Sequence, residues 1–180
     1  MRCMKAALVL LGIATPALAL AQEKKDEAPV AVQTYESPIT NNKGEPIGQI
    51  QIRDGANALV LRVTIKAGGL TPGWHGLHFH AVGDCSDTEK FEKSKAHVNH
   101  DKRAHGLLNG DGPDEGDLPN LFANADGSAN GEMTSEMALT GEESLKDGDG
   151  SALIIHANED DHTQQPIGGA GARVACAVIK

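Results

Sequence analysis

The stretch Gly73–Asp84, GWHGLHFHAVGD, decides how the chain reads. Two of its three histidines, His78 and His80, are one residue apart, and Leu77, Phe79, Ala81 and Val82 around them give the apolar pattern of a strand. Side chains two apart on a strand share a face, so these imidazoles project together and can reach one metal ion. A helix would need them three or four apart. Taken alone, such a pair serves equally well as hydrogen-bonded core histidines, so the rest of the chain must decide.

Working outward, 180 residues suit one domain with a core large enough to be stable. The first 21 residues stand apart from it. Arg2 and Lys5 precede an apolar run from Ala6 to Leu20, and Ala19-Leu20-Ala21 is a small-x-small site, the pattern of a cleaved secretory signal peptide. The run is too short and wrongly flanked for a spanning helix. Cys3 lies ahead of the run and leaves with it. The expectation is an exported chain with a signal peptide over 1–21, a charged mobile lead-in over 22–33 and one domain over 34–180. Without Arg2 and Lys5, 14 basic residues face 25 acidic ones, and the net charge moves from −9 to −11. That argues against nucleic acid as a partner. The remaining cysteines, Cys85 and Cys176, are an even pair in an exported chain and suggest a disulfide. Closing a loop of about 90 residues would stabilise the fold by roughly 4–5 kcal/mol on chain-entropy reasoning.

The remaining pattern is short apolar alternation broken by turn residues. Ile47–Ile52 and Ala58–Ile65, with Asp54-Gly55 and Asn57 between them, predict a hairpin. Strands are expected again over 118–123, 132–139, 152–157 and 172–179, with turns at Asp126-Gly127 and over 147–150. Cys85–Asp117 shows little strand pattern, and long irregular segments in compact domains usually carry function. Seven or eight short strands without a convincing amphipathic helix point to an all-β sandwich or barrel.

His156 closes the apolar run Ala152–Ile155, so its ring can join His78 and His80. Three or four imidazoles without a thiolate suit copper or zinc. The long segment offers a second set, His97, His105, Asp114 and Asp117, whose mixed nitrogen and oxygen donors are ordinary for zinc. Residue types and spacing alone reach an exported all-β protein with one or two transition metals.

The ordered motifs GLHFH-x3-DC, AHVNH, HG, GDLPN, IIHANEDD and GGAGARVAC, spread over residues 44–180, resemble the copper/zinc superoxide dismutases of bacterial exported type, a resemblance that implies the periplasm as the destination. The resemblance implies an eight-stranded Greek-key β-barrel with long metal-binding and channel loops. It implies disproportionation of superoxide to dioxygen and hydrogen peroxide at a redox-cycling copper, bridged by His97 to a structural zinc and protecting the cell envelope. It assigns copper to His78, His80, His97 and His156, and zinc to His97, His105 and Asp117. Catalytic roles fall to His97 and to Arg173, the cation that draws in the anionic substrate. Asp160 matches a carboxylate that hydrogen-bonds ligands of both metals, Cys85 and Cys176 match the family disulfide, and His75 matches a structural histidine. The chain departs from the pattern at Asp114, where a third zinc histidine is usual. Asp114 is expected to replace it, with His100 as the alternative, and zinc affinity depends on which does. Superoxide is the implied substrate; neither nucleic acid nor membrane is an expected partner, and the family includes both homodimers and monomers.

On a surface of net charge −11, steering of an anion must be focused at the site's mouth. Arg173 is the central cation, and Lys90, Lys93, Lys95, Lys102 and Arg103 could extend a positive track. Two rival classes remain. A cupin-type enzyme lacks its expected glutamate after the HxH pair, and a non-catalytic metal-storage protein would not need Arg173.

Overall fold

Alternation along Pro46–Asp54 and Leu59–Ile65 buries Ile50, Ile52, Leu61 and Val63 on one face, and the two segments pair as the expected antiparallel hairpin. The computed structural model describes residues 31–180; the signal peptide expected over 1–21 and most of the lead-in lie outside the described residues. The strands are β1 (Gln33–Asn41), β2 (Pro46–Asp54), β3 (Leu59–Ile65), β4 (Gly73–His75), β5 (Leu77–His80), β6 (Leu121–Ala123), β7 (Ala129–Ser135), β8 (Ser151–His156) and β9 (Arg173–Ile179). Seven form one antiparallel sheet in the order β5-β8-β9-β1-β2-β3-β7, and β4 pairs with β6. The sheet curls around a single core that includes Ile50, Leu61, Leu77, Phe79, Leu153, Ile155 and Ile179. No α-helix occurs among the described residues.

Three expectations shift in detail. The histidine stretch forms two strands rather than one, divided at Gly76, which raises the strand count from eight to nine. The strand expected over 118–123 is confined to Leu121–Ala123. The one expected over 132–139 runs instead over Ala129–Ser135, because the Asp126-Gly127 turn lets pairing with β3 begin at Ala129 opposite Ile65. Met137 and Leu139 remain buried beyond its end, with the Leu139 amide donating to Asp54. Their apolar pattern reported burial, not strand.

β8 is buried on both faces, as its unbroken apolar run requires. Leu153 and Ile155 enter the core, while Ala152 and Ile154 meet Phe91, Cys176 and the half-buried Cys85 in a second apolar cluster on the outer face. What covers that face is the long segment 85–117. It contains one 3-10 turn, Glu92–Ser94, and no strand. The Cys85–Cys176 disulfide ties its start to β9. Its end returns alongside β5. Val98 donates to the Phe79 carbonyl at 2.9 Å, Phe79 donates to Gly116 at 2.8 Å, and Gly116 donates to Val98 at 2.9 Å. A side chain at Gly116 would collide with the Phe79 carbonyl, so only glycine permits this three-way approach.

Candidate metal centre

Because Leu77 and Phe79 point into the core, His78 and His80 point to the opposite face, under the long segment. His97 lies across from His80 in an isolated antiparallel bridge, and His78 is bridged in the same way to Asp117. His156 arrives from the end of β8, where a register irregularity sets it opposite Arg173. Ring centroids are 4.1 Å apart for His78 and His97, 4.8 Å for His78 and His156, and 5.2 Å for His80 and His97. All four rings are buried.

Each of these rings has one nitrogen engaged. His78 Nε2 is 2.7 Å from Asp160 Oδ2, His80 Nδ1 is 2.7 Å from the Lys95 carbonyl, His156 Nδ1 is 2.9 Å from the Gly171 carbonyl, and His97 Nδ1 is 2.9 Å from Asp114 Oδ2. The other nitrogen of each, Nδ1 of His78 and Nε2 of His80, His97 and His156, is buried without a partner. An unsatisfied buried polar atom costs about 1–3 kcal/mol, and folded proteins rarely leave one. Ligand atoms of His78, His80 and His97 lie within 4.8 Å of one another, and the His156 ring adjoins with its centroid 4.8 Å from that of His78, an arrangement that fits a metal ion accepting imidazole lone pairs. In the metal-free chain, burial pushes the pKa of His78 down, that of His80 well down, and that of His156 to about 3, with nearby imidazoles adding to the shift. Those rings are therefore neutral near pH 7, with lone pairs free to coordinate.

A second buried set adjoins the first. Ligand atoms of His97, His105, Asp114 and Asp117 all lie within 4.8 Å of one another. His105 Nδ1 is 2.5 Å and His97 Nδ1 is 3.6 Å from Asp117 Oδ1. Backbone amides hold the remaining carboxylate oxygens, Gly116 at Asp114 Oδ1 (3.0 Å), and Gly106 (2.7 Å) and Asp114 (3.0 Å) at Asp117 Oδ2. One oxygen of each carboxylate is thus left facing the imidazoles, a donor set that fits a divalent cation. Asp114 belongs to this set. His100 does not: it lies outside this group, and Glu115 takes its backbone amide and its Nδ1, the latter at 3.0 Å. A cleft of about 640 Å³, bordered by Asp101, Arg103, Glu115 and Glu136, also has Asp114 and Asp117 in its wall.

Asp160 joins the two sets, with Oδ2 at His78 and Oδ1 3.1 Å from His105 Nε2. Burial alone would raise its pKa, but hydrogen bonds from His105, His78 and the His162 amide hold it far below the usual carboxylate range. His105 shows the reciprocal effect. Burial disfavours its charge, yet Asp117 and Asp160 raise it to about 10.

Arg173 Nη1 donates to the Phe91 carbonyl at 2.7 Å and Ser94 Oγ at 3.1 Å, and Nη2 donates to the Lys95 carbonyl at 2.7 Å. All three acceptors are uncharged. Of the other loop cations, Lys90 lies 4.0 Å from the Glu92 carboxylate, while Lys93 and Arg103, like Arg173, donate to neutral acceptors, Ser86 Oγ at 2.8 Å and the Gly112 carbonyl. His75 contacts the His156 and Thr71 carbonyls at 2.7 and 2.8 Å, a structural tie between β4 and the end of β8. Sequence reasoning missed the Lys95 and Gly171 carbonyls that orient two of the rings, because backbone partners leave no signal in residue type.

A profile of the family described as copper/zinc superoxide dismutase (SODC) matches residues 47–179. The chain belongs to that family. Among copper/zinc superoxide dismutases, that of Caulobacter vibrioides is 49% identical over 142 residues, covering 76% of this chain and 80% of its own. That of Photobacterium leiognathi is 37% identical over 150 residues, with 76% and 80% coverage. Among solved structures, a SOD-like protein from Bacillus subtilis superposes with a TM-score of 0.77 at 31% identity, covering 83% of this chain and 100% of that one. The Cu/Zn superoxide dismutase of Brucella abortus gives 0.64 at 26% identity, covering 82% and 100%.

Proposed function

We propose that the chain disproportionates superoxide to dioxygen and hydrogen peroxide, using copper held by His78, His80, His97 and His156 and zinc held by His97, His105, Asp114 and Asp117. The observation that carries this reading is the group of four buried ring nitrogens without partners, three of them Nε2 and one Nδ1. Copper, when bound, supplies a one-electron couple that zinc cannot.

The chain's own residues do the rest. His97 offers Nε2 to the all-imidazole set and Nδ1 to the mixed set, and so belongs to both. Its Nε2 is the atom at which a proton can be held and passed to product. Arg173, hydrogen-bonded to neutral acceptors with Glu92 and Asp87 near enough to act on it, presents a positive charge to an anion on a chain of strongly negative net charge. Asp160 fixes the orientation of His78 and His105 together. The signal-peptide pattern and the disulfide support export to an oxidising compartment, where the activity would protect the cell envelope from superoxide.

Metal content of the purified mature chain, with superoxide removal assayed on the same sample, tests this. One copper and one zinc per chain with high activity is the expected result. Fully metallated protein without activity would overturn the enzyme reading in favour of metal storage.

A further inference from the structure

Five buried side-chain nitrogens among the described residues lack a hydrogen-bond partner, and the copper reading accounts for four. The fifth is Nδ1 of His162, a residue that none of the metal motifs includes.

Asn120 fixes where the proton of this ring sits. Its Oδ1 accepts from the Asp160 amide at 2.9 Å and its Nδ2 donates to the Asp160 carbonyl at 2.8 Å, so the side-chain amide has one orientation. The same Nδ2 lies 3.1 Å from His162 Nε2, which must therefore accept. A neutral imidazole that accepts at one nitrogen carries its proton on the other, so Nδ1 is a donor. It is buried and faces Asp160 Oδ2 at 3.5 Å, long for a hydrogen bond but close enough for its N–H dipole to act on the carboxylate. The backbone amide of His162 donates to the other oxygen, Oδ1, at 2.7 Å. His162 thus addresses both oxygens of the carboxylate that holds His78 and His105.

The backbone is built to place it there. His162 has φ of 60°, in the left-handed region that a non-glycine residue rarely occupies. Its carbonyl accepts from Leu108 at 3.0 Å, so contacts on both sides of the residue hold this geometry.

We propose that His162 is a positioning residue for both metal sets, restraining Asp160 through Nδ1–H so that His78 and His105 keep their orientation. This rests on the two-metal reading above. His162 touches no metal ligand in the scheme and acts only through Asp160.

The test is chelator competition for copper and for zinc on the full mature chain, comparing wild type with His162→Phe and His162→Asn. Phenylalanine keeps a ring and removes the donor, whereas asparagine tolerates the left-handed backbone and puts an amide N–H near the place of Nδ1. His162→Phe should weaken both metals about 10-fold or more, the usual cost of losing a partner behind the ligands, and His162→Asn should restore both. His162→Ala serves the same comparison if the larger ring does not fold. Unchanged affinities without the donor, loss at one metal only, or failure of asparagine to rescue would each overturn the assignment. Wild-type chain that retains neither metal would instead overturn the two-metal reading beneath it.

Discussion

Arg173 and Phe91, 82 residues apart, are joined by a 2.7 Å hydrogen bond from Nη1 to the main-chain carbonyl. With the Ser94 and Lys95 contacts, this bond holds the guanidinium against neutral acceptors and leaves its charge to act outward. Arg173→Glu should lower kcat/KM for superoxide by about 10-fold or more, within the range that electrostatic focusing supplies. The decline of rate with salt expected for wild type should flatten or reverse. Stopped-flow measurements across ionic strength would show this, and unchanged kinetics would refute steering by Arg173.

Asp114 enters the mixed cluster through Oδ2, with Oδ1 fixed by the Gly116 amide. Asp114→Ala should weaken zinc by more than about 100-fold, beyond the usual effect of losing an outer partner. Copper affinity should fall far less, since the four imidazoles remain. Equal zinc affinity in the variant and wild type would remove Asp114 from the ligand set.

His105 carries a proton at pH 7 in the metal-free chain, because its pKa is raised to about 10. A folded value above the unfolded 6.5 gives a stabilising contribution that is complete below about 6.5 and lost as pH rises through about 10. Zinc must displace that proton from Nδ1, so binding at pH 7 should release about one proton, with release fading as pH nears 10. Calorimetric titration in buffers of different ionisation heat measures it. No release at pH 7 would contradict the proposed ligation by His105.

The Cys85–Cys176 disulfide closes a loop with a sequence separation of 91 residues. Replacing both cysteines by serine should lower the unfolding free energy by roughly 4–5 kcal/mol on the chain-entropy view. Urea denaturation of the metal-free forms gives the difference. The variant should also lose activity, since Arg173 is three residues from Cys176 and donates into the segment the disulfide anchors.

The β2–β3 hairpin, the unbroken apolar run of β8 and the shared face of His78 and His80 were legible in sequence, because periodicity and spacing report them directly. The divided histidine strand was not, since the break at Gly76 depends on β4 pairing with β6 while β5 pairs with β8. Motif order carried the assignment of His97, His105, Asp117 and Asp160, which lie apart along irregular backbone with no periodic pattern. Whether Asp114 or His100 lies beside His97, His105 and Asp117 needed the fold, because only the folded loop brings Asp114 Oδ2 to His97 Nδ1. His162 was invisible for a related reason. Its significance lies in the orientation of Asn120, 42 residues away, and in a left-handed backbone that its residue type does not announce.

In each ring of the all-imidazole set, one nitrogen is engaged by the protein before any ion is present, and the other is bare. The kinetic consequence is that ring reorientation should not limit loading. Uptake should stay first order in free ion over a wide concentration range, without the plateau that a slow rearrangement imposes. Cellular supply of the metal, rather than the chain's own dynamics, would then set how quickly newly made protein becomes active.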